Sequence, residues 1–406
     1  MRLLVATRQL GFGGGVETHL QSVLPHLHAA GHSLALLYED SASPPEGSDL
    51  GLVQEGGPRF PRIAARGRPI DAVLADVRSF APDWVYNHGL YDPDLEDRLA
   101  RSFPSLLFAH NYYGICISGT RCHAGREIIP CGRAFGPACL AVYLPFRCGG
   151  LNPWTMIQRY RIEARRRATL QHYAAILVAS RYVASQFERN GIDPARIHRV
   201  PLFPPGVAPC PSPPQPRQIS GRILFLGRIA PQKGLDHLVP ALLQAQATLG
   251  RALHLVVAGD GRERDGLLAE ANRKGLTTEA LGWITLAQRN QILTGIDLLA
   301  VPSTWPEPFG LVGLEAACLG VPSVGYASGG IPEWLIPGVT GELAVGTPPR
   351  PAALAAAIVR ALQDPAHWRT LRHGAWEHAH AWTPEAHLTR LLEVIRGCRD
   401  QRKERC

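Results

Sequence analysis

Two glutamates stand eight positions apart in the stretch STWPEPFGLVGLEAACLG, residues 303–320. Glu307 lies between Pro306 and Pro308, and Glu315 lies inside an apolar run. A carboxylate pair can act as acid and base in glycoside hydrolysis, or it can accept hydrogen bonds from a ligand's hydroxyl groups. The surrounding residues favour the second use. A residue before proline is pushed away from helical angles, so Pro308 holds Glu307 extended at the end of the strand-like LLAVPS. Gly310 then opens a helix expected from about Leu311 to Leu319, stopped by Gly320 and Pro322. The N–H groups of Phe309, Gly310 and Leu311 fall at its start, where a helix offers a seat to an anion. Acceptor, donor cluster and acceptor together suit a ligand with hydroxyls at both ends and phosphate between, the layout of a sugar nucleotide.

A second motif supplies cations. In FLGRIAPQKGLDHL, Arg228 and Lys233 follow a strand in a Gly-Arg-x4-Lys-Gly arrangement. Arginine can grip two phosphate oxygens and lysine acts as a point charge. Lys233 is one of only three lysines, with Lys274 and Lys403, in a chain that otherwise uses arginine. A third motif, GFGGGVETHL, puts Gly13, Gly14 and Gly15 between a first strand and a first helix. That placement lets backbone approach a phosphate closely, but it has neither a dinucleotide-fingerprint spacing nor a Walker lysine. A tight strand-to-helix turn explains it equally well.

Five of the nine cysteines, Cys116, Cys122, Cys131, Cys139 and Cys148, crowd one segment. No Cys-x-x-Cys pair occurs there, so the spacing is a poor zinc signature. A metal, a disulfide or plain packing stay open. Downstream, NPWTMIQRYRIEARRRATLQHY sets Trp154, Met156, Ile157 and Tyr160 ahead of Arg165, Arg166 and Arg167. A basic amphipathic helix of this kind suits an anionic membrane surface or a solvated charged face.

These motifs need elements to position them. Short apolar runs (RLLVAT, SLALLYE, DWVYNHG, SLLFAHN, AAILVAS, then GRILFLGR, LHLVVAGDG, LLAVPS and PSVGYA) alternate with helical patterns. That rhythm predicts an α/β chain of parallel sheets covered by helices. The proline-rich PLFPPGVAPCPSPPQPRQIS interrupts it at 201–220, because prolines forbid helix and sheet pairing there. The expected organisation is an N-terminal Rossmann-like domain over 1–205 with a cysteine-rich insertion at about 116–148, and a linker at 206–220. A C-terminal Rossmann-like domain over 221–382 and a helix with a basic tail at 383–406 follow. With 406 residues and 46% hydrophobic content, two such cores are affordable. The net charge of +8 favours anionic partners. No uncharged apolar run is long enough for a membrane span. The expectation is a cytoplasmic chain, with attachment at the inner membrane face left open.

The sequence resembles the retaining GT-B glycosyltransferases of family 4, the group 1 type. The resemblance rests on GGGVETHLQSVLPHLHAAGHSLALL, GRIAPQKGLDHL, EPFGLVGLEAACLGVPSV with its Glu-x7-Glu motif, and SGGIPEWLIPGVTGELA, in that order along nearly the whole chain. It implies a GT-B fold, two doubly wound domains with a cleft between them. It implies that Glu315 binds the ribose of a UDP- or GDP-sugar and that Glu307 binds the transferred sugar. Arg228 and Lys233 would hold the diphosphate, and Phe309, Gly310 and Leu311 would contact sugar and phosphate through the main chain. Gly14 and Gly15 would approach phosphates or acceptor. His110, in FAHNYYG, matches a histidine beside the reacting sugar. No cofactor, no metal and no nucleic acid are implied. The expected activity is transfer of a hexose-type sugar, with retention, to a glycan or lipid-linked acceptor in cell-surface polysaccharide or glycolipid synthesis. The alternatives are a hydrolase using the two glutamates, a nonenzymatic sugar-nucleotide-binding protein, and an epimerase or phosphorylase on the same fold.

Overall fold

A computed structural model describes residues 1–10, 14–40, 60–125 and 127–403. Gly13 of the glycine turn and the last residues of the basic tail, 404–406, lie outside these. The chain forms two compact units. The first comprises Met1–Glu127, Cys131–Pro205 and Pro384–Cys406; the second comprises Ile128–Pro130 and Gly206–Thr383.

In the first unit, β1 (Arg2–Gln9), β2 (Ser33–Asp40), β3 (Arg62–Ala64), β4 (Trp84–Asn87) and β5 (Ser105–Ala109) share one sheet. Two further short strands, β6 (Cys122–Ala124) and β7 (Ile128–Pro130), belong to neither large sheet. With β8 (Ala175–Val178) and β9 (Ile197–Arg199) the first sheet runs β3-β2-β1-β4-β5-β8-β9, parallel throughout. Parallel strands are covered on both faces and therefore read as near-continuous apolar runs. Val5 shows why: it sits in register between Leu36 and Tyr86, and all three are buried. Helices α1 (Gly15–Ala29), α2 (Ile70–Phe80), α3 (Pro93–Ser102), α4 (Ala138–Tyr143), α5 (Pro153–Thr169) and α6 (Arg181–Arg189) accompany it, α4 packing on α5. Leu4, Leu37, Val73, Val77 and Val85 are part of its core.

The second unit repeats the plan. Its strands are β10 (Arg222–Leu226), β11 (His254–Ala258), β12 (Thr277–Gly282), β13 (Leu298–Val301), β14 (Ser323–Tyr326) and β15 (Gly341–Ala344). They order as β12-β11-β10-β13-β14-β15, again parallel, with Leu224 between Val256 and Leu299. Helices α7 (Leu235–Leu249), α8 (Arg264–Arg273), α9 (Leu286–Leu293), α10 (Val312–Ala317), α11 (Pro351–Leu362) and α12 (Pro365–Ala379) accompany them. The long helix α13 (Pro384–Lys403) belongs to the first unit and packs on α1.

The proline-rich segment carries no helix or strand and is laced to the second unit. Cys210 N–H donates to the Cys318 carbonyl at 2.9 Å, and Trp376 Nε1 donates to the Cys210 carbonyl at 2.7 Å. Arg217 pairs with Asp297 at 2.7 Å. In both sheets the strand order reverses beside the first strand of the unit, between β1 and β4 and between β10 and β13. Ligands of doubly wound sheets bind outside the carboxyl ends of the strands at that reversal. No helix among the described residues is long and apolar enough to cross a membrane.

Candidate functional site

The carboxyl ends of β10 and β13 bring the two charged motifs together. Lys233 Nζ donates to Glu307 Oε1 at 2.5 Å, and Ser303 Oγ donates to the same oxygen at 2.6 Å. The two loops are also tied by main chain, Thr304 N–H to the Gln232 carbonyl at 3.0 Å. Gly234 makes this approach feasible: its φ is +70°, and a Cβ there would lie 2.0 Å from the Pro302 carbonyl oxygen. Burial alone would raise the Glu307 carboxyl. The Lys233 ammonium and the Ser303 hydroxyl outweigh it and hold the group below the usual carboxylate range. Lys233 keeps 27% of its side chain exposed, and its ammonium stands 5.8 Å from the centre of the Trp305 ring. Arg228, at the same strand end, is exposed and makes no ion pair among the described residues. One cation is thus tied to the carboxylate and the other is open to solvent.

Glu315 is placed differently. It is buried in α10 and pairs with Arg289 of α9 at 3.0 Å, both side chains being under a tenth exposed. Here burial outweighs the arginine and raises the carboxyl. The two glutamates are therefore shifted in opposite directions, as an acid–base pair would require. Each carboxylate, however, has a cation of its own.

The loop between the glutamates is fixed from the far side by residues 328–334. Gly330 N–H donates to the Glu307 carbonyl at 2.7 Å, and Ser328 Oγ donates to the Trp305 carbonyl at 2.6 Å. Trp334 Nε1 donates to the Phe309 carbonyl at 2.8 Å. The Trp334 ring occupies the space of a side chain at position 313, where a Cβ would come within 2.0 Å of it. Gly310 has φ +84° and turns the chain into α10. That helix spans Val312–Ala317, shorter at both ends than the expected Leu311–Leu319, because Leu319 and Gly320 N–H close three-residue turns onto Ala316 and Ala317. Phe309, Gly310 and Leu311 stay outside it as the turn leading in.

His110 lies in the first unit, one residue beyond β5, with its Nε2 2.8 Å from His88 Nδ1 and the two rings stacked. His88 follows β4 directly, and His19 of α1 has its ring 5.4 Å from that of His110. One donor atom from each of His19, His88 and His110 lies within 4.8 Å of the others, so these three could hold a transition metal. His387 of α13 adds a fourth ring 5.1 Å from His19 and donates through Nδ1 to the Pro201 carbonyl at 2.7 Å. Burial lowers all four imidazoles, His110 to about 3 and His387 to about 4, and neighbouring rings of the cluster lower His19, His88 and His110 further. They are neutral at pH 7.

Gly14 caps α1, and its carbonyl accepts from Thr18 N–H at 3.1 Å. Both Gly14 and Gly15 are exposed, and among the described residues no atom beyond its chain neighbours and its own helix backbone lies within 4 Å of a Cβ placed at Gly15. The five clustered cysteines line one small cavity of the first unit, and none is in a disulfide. The arginines of α5 are tied to protein groups. Arg166 is buried with Glu163 at 2.6 Å, Arg165 meets Asp94 at 3.1 Å, and Arg167 donates to the Asn190 carbonyl. Met156 and Tyr160 pack on Ile117, Phe135 and Tyr143.

Several site residues were not singled out in the sequence: Arg289, Ser303, Trp334, and the histidine partners His19, His88 and His387, although Ser303, Trp334, His19 and His88 lie within the quoted stretches. One signal was legible in principle. His88 and His110 are each the first residue after neighbouring parallel strands, so the sheet order itself sets them side by side.

Two parallel doubly wound units of this strand order define the GT-B class. Residues 13–203 match the family model described as Glycosyltransferase Family 4, and residues 216–386 match Glycosyl transferases group 1. By fold and by both matches the chain belongs with the GT-B glycosyltransferases. A glycogen synthase of Mycobacterium tuberculosis is 35% identical over 181 residues, 44% of this chain and 40% of the relative. A D-inositol 3-phosphate glycosyltransferase of Thermomonospora curvata is 35% identical over 188 residues, 44% and 43% of the respective chains. The chain thus spans about 40% of the length of these relatives. Among solved structures, Anabaena HepE in complex with UDP aligns with TM-score 0.69 at 20% identity over 98% of this chain and 100% of that one. Sucrose-phosphate synthase from Thermosynechococcus elongatus aligns with TM-score 0.68 at 20% identity, over 98% of both chains.

Proposed function

We propose that the protein is a glycosyltransferase that moves a hexose-type sugar from a UDP- or GDP-sugar to a glycan or lipid-linked acceptor, with retention at the anomeric carbon. The observation that carries this is the joining of Lys233 to buried Glu307, with Arg228 open beside them, at the strand reversal of the second unit. Two cations at that place suit a diphosphate, which a hydrolase has no need to hold. The UDP complex of the structural neighbour HepE supports the same reading for the donor.

In this mechanism Lys233 and Arg228 take up negative charge as the nucleoside diphosphate leaves, and no metal is required for that step. Phe309, Gly310 and Leu311 offer main-chain groups to sugar and phosphate. Glu307, kept ionised by Lys233, accepts hydrogen bonds from the hydroxyls of the transferred sugar and orients it. Glu315, held in place by Arg289, accepts from the ribose. His110, neutral at pH 7, takes a supporting part in transfer, and Gly14 and Gly15 leave room for phosphates or acceptor. Departure of the diphosphate and same-face attack by the acceptor need no covalent nucleophile.

The test is donor turnover. Release of nucleoside diphosphate from a UDP- or GDP-sugar should survive EDTA and fall by roughly a hundredfold or more in Lys233→Met. Full turnover in that variant, or activity lost to EDTA and restored by a divalent ion, would overturn the assignment. The acceptor places the protein at a cytoplasmic membrane face in this account. Leu151, just before α5, and Trp154, in its first turn, are among the exposed apolar groups available to touch it.

A further inference from the structure

The cysteine segment is the largest cluster of metal-ligating side chains that the proposed transfer does not use. Cys116, Cys122, Cys131, Cys139 and Cys148 are brought from three separated stretches of chain to the wall of one cavity of about 20 Å³. All five are free, and Cys116, Cys122 and Cys139 are buried. A space of that size admits one water or one ion. Water is a poor occupant, because it needs two to four good hydrogen-bonding partners and thiols are weak ones. An iron–sulfur cluster is too large for it.

The charge around the cavity is the second observation. Arg121 lines the same wall with only 1% of its surface exposed. Its guanidinium donates to the Arg133 carbonyl and to Gln186 Oε1 at 2.5 Å, yet it pairs with no carboxylate among the described residues. A buried cation without a counter-charge is costly. The acidic groups that could offset it at this wall are the thiols, once deprotonated. Second contacts of the kind that support thiolates are already present. Arg121 N–H donates to Cys116 Sγ at 3.3 Å, and His123 Nδ1 stands 3.3 Å from Cys148 Sγ.

We propose that these five cysteines form a structural site for one soft divalent ion of the zinc class, bound by four thiolates. The assembly carries net negative charge, which Arg121 offsets in part. Four thiolates and one divalent cation sum to two negative charges, so the buried guanidinium gains the partner it lacks. On binding, each ligating thiol gives its proton to solvent and no redox step is involved. No three of the sulfurs stand within 4.8 Å of one another. Binding therefore draws the stretches around Cys116, Cys131 and Cys148 inward and tightens the insertion.

The experiment uses the full chain, purified without a histidine tag under reducing conditions. Elemental analysis should give about one zinc per chain that survives EDTA dialysis and is released by a mercurial. Added Co²⁺ in place of zinc should give a sulfur-to-cobalt charge-transfer band with the spectrum of a tetrahedral site. Cys116→Ser and Cys131→Ser should lose both signals. Cys318→Ser and Cys398→Ser, remote thiols, should keep them. Arg121→Gln should weaken zinc retention by roughly tenfold or more. Absence of zinc together with absence of the cobalt band in the wild-type chain would overturn the proposal. So would zinc retained in the Cys116 and Cys131 variants, iron in its place, or disulfides among the five in the freshly isolated protein.

Discussion

Replacing Lys233 by Met keeps the apolar stem and removes the charge that faces Glu307. At 2.5 Å and an effective dielectric of about 20 the pair attracts by about 7 kcal/mol before desolvation is subtracted. Losing one partner of a buried pair costs ~3–5 kcal/mol, and losing one of an exposed pair ~1 or less. With Glu307 buried and Lys233 27% exposed, about 2–3 kcal/mol is expected at pH 7. The stranded carboxylate has an escape, which is to take up a proton. Protonation caps the charge penalty at about 1.4 kcal/mol per pH unit above a free pKa of about 4.3, hence about 3.7 at pH 7 and about 1 at pH 5. The sign follows from the pair. In the wild type the lowered Glu307 contributes stability that is present above the free carboxyl pKa and is lost as pH falls through its folded value. In the variant burial is opposed only by the Ser303 and Trp305 hydrogen bonds, and the dependence is expected to reverse. Urea unfolding of the wild type, Lys233→Met, Glu307→Gln and the double variant at pH 7 and pH 5 reads this out. The double variant should be more stable than Lys233→Met at pH 7, and the Lys233→Met deficit should shrink at pH 5. Equal deficits at both pH values, or additive losses in the cycle, would refute the reasoning.

Other outcomes follow from the same contacts. Gly313→Ala should destabilise the second unit by about 3 kcal/mol or more, seen as a lower Tm, because its methyl meets the Trp334 ring. Acid should loosen the first unit, since His110 and His387 bind protons only after unfolding. Their contribution is intact above the free imidazole pKa and falls as pH drops below it, by about 2 kcal/mol each at pH 5. A Tm unchanged between pH 7.5 and pH 5, with His387→Gln flattening nothing, would count against that. Glu315→Ala should weaken UDP or GDP binding more than it changes sugar preference, by calorimetric titration. Leu151→Ser with Trp154→Ser should reduce co-sedimentation with anionic vesicles and leave donor turnover in solution unchanged.

Much of the fold was legible because parallel strands announce themselves. Strands such as β4 and β8 are buried on both faces and read as unbroken apolar runs. The edge strands were not read. β12 is Thr277–Gly282, TTEALG, half exposed and polar, and β9 is three residues long, so neither leaves an apolar run to find. At the candidate site, Pro306 and Pro308 made the geometry around Glu307 legible, and the spacing of Arg228 and Lys233 marked a cation pair. Spacing could not show that Lys233 reaches the carboxylate while Arg228 faces solvent, since that depends on where Gly234 lets two loops meet. Arg289 was invisible for a related reason. It sits on a separate helix, 26 residues before Glu315, and nothing local distinguishes it from a surface arginine. The cysteines were the reverse case, conspicuous in sequence but without a ligand spacing. Their convergence appears only when the stretches around Cys116, Cys131 and Cys148 are folded together.

The central claim is that the second unit holds a nucleoside diphosphate sugar through Lys233, Arg228 and the two glutamates. Ligand-detected NMR on the full chain with a panel of UDP- and GDP-sugars tests it most directly. The account predicts saturation transfer to the nucleotide and sugar protons of at least one donor, lost in Lys233→Met and displaced by the matching nucleoside diphosphate. Failure of every donor to bind the folded wild-type protein, or binding that Lys233→Met leaves untouched, would contradict it.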